Sequence, residues 1–296
     1  MKWDDLRRSS NIEDIRFKGG ASRGAGRGSL RLLLPIAQML IGTKVGRIVL
    51  VVGVVAYFLG FNPLALLDSS SSSSPSAKVQ SSVADDRSAE FISAVLAQTE
   101  DIWGQQFAQL GGTYKEPKLV LFRQSVQSAC GYASAQVGPF YCPADQKVYL
   151  DLGFFDELSQ RHDAPGDFAQ AYVVAHEIGH HVQNLVGTLN KSHKAKQLAQ
   201  GDEKKANAIQ VKVELQADCY AGVWAHHINA KGNIIEQGDI EEALNAASAI
   251  GDDTLQKKAH GHVVPDSFTH GSSAQRMQWF DRGFKNGNMR ACNTGA

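Results

Sequence analysis

Twenty consecutive residues without a charge, 48–67, constrain this chain more than any other stretch. At about 1.5 Å per residue a helix of that length spans roughly 30 Å, the thickness of a bilayer's hydrocarbon core. The run reads as a single transmembrane helix. The alternatives are a buried core helix and a cleaved signal peptide. The second is disfavoured by the long positive region in front and by the absence of a small-x-small cleavage site. Residues 1–47 hold ten Lys or Arg against four Asp or Glu, whereas the whole chain carries 30 of each. With Lys44 and Arg47 just ahead of the run, the positive-inside rule makes 1–47 a basic cytoplasmic segment and places the rest of the chain across the membrane. Residues 68–82 are a Ser-rich linker, and 83–296 form one globular domain, long enough to bury a core. The balanced total charge provides no general field for polyanions, so no nucleic-acid partner is expected.

Four cysteines, Cys130, Cys142, Cys219 and Cys292, all follow the apolar run, on the side read as oxidising. None forms a Cys-x-x-Cys pair. Three pairings are possible. The short, turn-rich loop favours Cys130 with Cys142, which leaves Cys219 for Cys292; buried free thiols are the other reading.

Within 83–296 the patterning predicts helices with a small sheet. Residues 85–110 have helical apolar spacing through Phe91, Val95, Ile102, Trp103 and Phe107. Residues 118–122 form a short strand. Residues 138–142 and 147–152 form a hairpin around a four-residue turn. In its second strand Val148, Leu150 and Leu152 alternate with Tyr149 and Asp151, which predicts one buried and one open face. Further helices are expected from Asp167, as N-cap with Gln170, to Gly187; over 202–230; from Asp239 with Glu242 to Gly251; and after Ser272, where Ser-Ser-Ala-Gln is a full capping box. Residues 190–200 are basic and solvated.

The chemistry centres on His176-Glu177-Ile178-Gly179-His180. Residues four apart share a helix face, so His176 and His180 can ligate one zinc ion, with Glu177 beside them as a base. A catalytic zinc takes a third protein ligand. The metzincin pattern fails because Gln183 and Val186 stand where Gly and His are required. Glu214 and Asp218, one turn apart on the later helix, fit instead: Glu214 as third ligand, and Asp218 as acceptor from a ligand imidazole. The alternative is an acidic pair on a solvated face, which their apolar neighbours disfavour. His270, ahead of the last capped helix, is the candidate oxyanion donor, against a structural role for a lone loop histidine. Arg276 either steadies that segment or pairs with Asp218. An extended peptide could align along the Tyr149 strand by β-addition. His181 points about 100° from His180 and is not a ligand. His226-His227 and His260-x-His262 read as surface residues.

The segments 176–181, 213–222, 138–143 and 268–272 together resemble the bacterial family of putative neutral zinc metallopeptidases (YpfJ-like). The anchor and linker are similar to its usual layout. The Glu-x-x-x-Asp helix resembles thermolysin-like gluzincins more distantly, and Thr269-His270 followed by Arg276 is similar to a late motif of HtpX-like membrane peptidases. The resemblance implies an α+β, zincin-like, mostly helical domain with a small antiparallel sheet. It implies zinc held by His176, His180 and Glu214, with Glu177 catalytic. The expected activity is a membrane-anchored endopeptidase acting on peptides or proteins outside the cytoplasm, at the inner membrane of a bacterium. The competing reading is an inactive zincin-fold scaffold, against which an intact Glu177 speaks.

Overall fold

The computed structural model describes residues 1–17, 83–134, 137–232 and 234–296. The apolar run 48–67 and the linker lie outside them. Among the described residues no helix is long and apolar enough to cross a membrane.

Helices dominate. They are α1 (Val83–Gln109), α2 (Gly153–Gln160), α3 (Asp167–Leu185), α4 (Thr188–Leu198), α5 (Glu203–Ala230), α6 (Asp239–Ala249), α7 (Asp252–His260) and α8 (Ser273–Asn286). The strands are β1 (Ile12–Asp14), β2 (Lys118–Phe122), β3 (Ser125–Ser128), β4 (Gly131–Ser134), β5 (Phe140–Cys142) and β6 (Lys147–Asp151). The α+β class is as expected. The sheet is not antiparallel, however: its order is β1-β2-β6-β5, with β1, β2 and β6 parallel and only β5 antiparallel to β6. The β5–β6 hairpin closes around residues 143–146 as predicted, but the return from β2 to β6 runs through the separate β3–β4 hairpin, long enough for a parallel crossover.

The second face of β6 is also covered. Leu119, Leu121, Val148 and Leu150 face the helical core, while Val120, Phe122, Cys142 and Tyr149 pack with Val126 and Ala133 of the small hairpin. The predicted open face is therefore closed. Tyr149 hydroxyl donates to Asp145 at 2.7 Å, and Asp151 accepts from the backbone N–H of Gln124 and Gly153. A Cys130–Cys142 disulfide ties this hairpin to β5, and Cys219–Cys292 ties α5 to the C-terminal segment.

The largest departure is at the N-terminus. Residues 1–16 are not a tail apart; they form one unit with residues 81–296. Ile12, Glu13 and Asp14 pair with Leu119, Val120 and Leu121. Trp3 packs edge-on against Phe91, and Ser9 donates to the buried Glu100 at 2.5 Å. Parallel pairing of β1 with β2 puts both on one side of any membrane. A single crossing between residues 17 and 83, with 1–47 cytoplasmic, is incompatible with that. Charge counting missed this because the apolar residues that dock, Met1, Trp3, Leu6 and Ile12, are interleaved with the charged ones.

Two expected caps also differ. Gly166 and Gly238, not Asp167 and Asp239, are the N-cap residues of α3 and α6. Asp167 accepts instead from the Met1 amine, and Glu242 from the Phe168 N–H at the start of α3. The Ser272–Gln275 capping box forms in full. α8 then crosses α5 at very short range: a Cβ on Gly283 would lie 1.9 Å from Cys219 O, and one on Gly222 would lie 2.0 Å from Phe280 O. Only glycines permit that approach.

Candidate metal centre

α3 is buried nearly all round, so its polar residues must find partners inside the protein. Their partners come mainly from α5. His176 Nε2 lies 3.3 Å from Glu214 Oε2, and His180 Nε2 lies 3.4 Å from the same oxygen. Helical spacing sets the two rings side by side, with centroids 4.9 Å apart.

The donor set fits zinc on geometry. With Zn–N and Zn–O bonds of about 2.0–2.1 Å, tetrahedral coordination requires ligand-to-ligand edges of about 3.3 Å. Both nitrogen–oxygen separations match that edge. Two neutral imidazoles and one carboxylate are also the set used by catalytic sites that keep a fourth position open.

The outer contacts decide which nitrogens are available. His176 Nδ1–H donates to Asp218 Oδ1 at 2.8 Å, which leaves Nε2 facing Glu214. Asp218 is fully buried and also accepts from Tyr172 Oη at 2.5 Å and from Arg276 Nε and Nη2, both at 2.9 Å. Arg276, from α8, thus neutralises Asp218, one of the two roles the sequence offered it. Burial alone would raise the Asp218 pKa. The Arg276 and His176 charges outweigh it and hold the carboxyl well below its ordinary value. Burial likewise favours neutral His176, but Asp218 and Glu214 raise its pKa to about 9. Glu214 is held well below the carboxylate range, because the two histidines outweigh its burial.

Three residues that sequence reasoning missed complete the setting. Gln183 Oε1 lies 2.9 Å from His180 Nδ1, three residues on along α3; that spacing was the available signal. Gln210 Nε2 donates to Glu214 Oε1 at 2.7 Å, one turn back on α5. Asp252, the first residue of a helix that the sequence reading did not predict, lies 3.2 Å through Oδ1 from His270 Nδ1. Its Oδ2 accepts the backbone N–H of Thr269, His270 and Gly271. Burial raises the Asp252 pKa, but these hydrogen bonds outweigh it and the net direction is down.

His176, Glu177, His180, Glu214, His270 and Arg276 all line one cleft of about 760 Å³. His270 sits at its rim with its side chain half exposed. His162 and His193 also line it, whereas the remaining histidines stand elsewhere. His181 faces away from the cleft, with Nε2–H donating to Lys115 O and Nδ1 accepting from Tyr141; burial lowers its pKa to about 4. His226 and His227 are not free surface residues, since they donate to Phe284 O and Gly287 O at the C-terminal end of α8. His260 and His262 are exposed. Tyr149, expected to align a peptide, lies on β6 between β2 and β5 and has no free edge; the strand at the sheet's edge beside the cleft is β5.

The chain is 46% identical over 294 residues to the uncharacterized protein YpfJ of Escherichia coli (strain K12), covering 99% of this chain and 98% of the relative. It is 44% identical over 191 residues to the uncharacterized protein Rv2575 of Mycobacterium tuberculosis (strain H37Rv), covering 61% of this chain and 63% of that protein. No solved structure matches. The family model described as "Putative neutral zinc metallopeptidase" matches residues 1–295, and the chain belongs to that family.

Proposed function

We propose that the chain is a zinc-dependent endopeptidase. The observation that carries this reading is the convergence of His176 Nε2, His180 Nε2 and Glu214 Oε2 in a cleft that also holds Glu177. Held by His176, His180 and Glu214, zinc would supply Lewis acidity toward a carbonyl oxygen and would acidify water in the cleft. Glu177 accepts the proton of the attacking water and returns it to the leaving amine. His270 donates from Nε2 to the developing oxyanion, and Asp252 Oδ1, 3.2 Å from its Nδ1, orients the ring. Arg276 and Tyr172 keep Asp218 fixed, so that His176 stays turned to the site.

Substrate binding follows from the cleft's wall. Phe140 and Tyr141 of the edge strand β5 line it, and an extended peptide can add to that strand through its backbone. Among the described lining residues, Glu177 and Glu214 are the only carboxylates, and both have roles in the chemistry. Among the described lining residues no further carboxylate stands to hold a substrate's amino terminus, which disfavours aminopeptidase action.

Two disulfides support a domain outside the cytoplasm. Residues 1–16 share its compartment.

The test is Glu177→Gln in the full chain. Zinc content should persist at one ion per chain while cleavage of an unstructured protein such as casein disappears. A variant that cleaves at the wild-type rate would remove Glu177 from the mechanism.

A further inference from the structure

The two histidines of the centre are held by different chemistry. His176 leans on a carboxylate, whereas His180 meets a neutral amide that is itself fully buried. Gln183 Nε2 lies 2.7 Å from Val213 O and 3.1 Å from Gln216 Oε1. A backbone carbonyl can only accept, so the NH₂ group of Gln183 faces Val213 and its Oε1 faces His180. His180 must then carry its proton on Nδ1 and present the Nε2 lone pair toward Glu214. The far end of the chain of bonds is anchored the same way: Gln216 Nε2 donates at 2.9 Å to the carbonyl of Cys292, whose sulfur is bonded to Cys219 of α5. Each amide's orientation is therefore dictated by an acceptor that cannot reverse.

We infer that Gln183 is the positioning residue of this centre: it selects the His180 tautomer and ring orientation that leave Nε2 free for the metal. The inference rests on the zinc reading above and adds a residue to it. A neutral partner also has a physical reason here. Asp218 brings a negative charge that Arg276 balances, but among the described residues no cation pairs with position 183. An amide orients the ring without placing an uncompensated charge in the interior.

The test uses the full chain and zinc itself, with affinity measured by competition against a chromophoric chelator. Gln183→Met keeps the volume and removes all three hydrogen bonds of the amide; zinc affinity should fall about 10- to 100-fold. Gln216→Met removes a buried neighbour while Val213 O still fixes the Gln183 amide, so it should hold zinc within roughly threefold of wild type, with the tetrahedral visible spectrum of the cobalt-substituted protein preserved. A role in packing alone would weaken both variants equally or neither, and either result overturns the inference. Should Gln183→Met fail to fold, ¹⁵N chemical shifts of the histidines in the zinc-loaded wild type decide the matter. Metal on His180 Nε2 with a proton on Nδ1 supports the assignment, and metal on Nδ1 overturns it. A wild type that binds no zinc would instead remove the centre's function and this inference with it, an outcome distinct from unequal variants.

Discussion

Gly283→Ala separates two physical effects of opposite sign. On an isolated helix the change is favourable by about 1 kcal/mol, because alanine loses less backbone entropy. In this protein the new Cβ would lie 1.9 Å from Cys219 O, where real Cβ contacts essentially never fall below 3.0 Å. α8 must therefore withdraw from α5 by about 1 Å. Overfilling a packed interior costs about 1–3 kcal/mol. The withdrawal also stretches the two 2.9 Å bonds from Arg276 to Asp218 beyond hydrogen-bonding range. A charge-assisted bond contributes about 1.5–3 kcal/mol. Net of the propensity gain, destabilisation of at least about 3 kcal/mol is expected, a fall in Tm of roughly 6–12 °C or more for a domain of this size. Differential scanning calorimetry of wild type and variant measures it. A Tm that rises, or stays within a degree or two, would show that the crossing has slack and that Arg276 is not held by it.

Zinc should stabilise the fold: at a free concentration of 100 times Kd the gain is about 2.7 kcal/mol, roughly 5–11 °C in Tm, reversed by chelator. Glu214→Ala should lose that shift, and an undiminished shift would remove Glu214 from the ligand set. His181, neutral and buried with a pKa lowered to about 4 against about 6.5 unfolded, makes stability fall as pH drops through that window, by up to about 3 kcal/mol. In chelator-treated protein, urea titrations of His181→Gln should show a shallower loss between pH 6.5 and 4 than wild type, and parallel curves would contradict the assignment. Cysteines placed singly at the exposed Asp5 and at the exposed Lys194 should react alike with a membrane-impermeant maleimide in intact cells. Labelling of one without the other would contradict the β1–β2 pairing.

Local patterns were legible because they repeat at the period of the element they build. The four-residue spacing in α3 and in α5 placed two histidines on one helix face and two carboxylates on another, and the Ser272–Gln275 box marked the start of α8 from its own side chains. The hairpin of β5 and β6 showed itself through alternation and a turn. These are statements about neighbours in sequence. What lies across from them is not encoded at any period. The parallel β1–β2 pairing joins residues more than a hundred positions apart, with an interleaved charge pattern that reads as a tail until Trp3 and Ile12 find the core. Asp167 and Asp239 have capping spacing, yet the Met1 amine in the fold competes for both and leaves glycines as the caps. The same division runs through the site. His176, Glu177 and His180 follow from one helix's geometry alone. The direction of every imidazole depends on groups that only packing brings near: Asp218 held by Arg276 from α8, Gln183 held by a carbonyl of α5, and Asp252 behind His270. Helical periodicity chose the candidate ligands. Their protonation and aim were decided by the tertiary structure, because a buried hydrogen bond must be satisfied by whatever the fold sets against it.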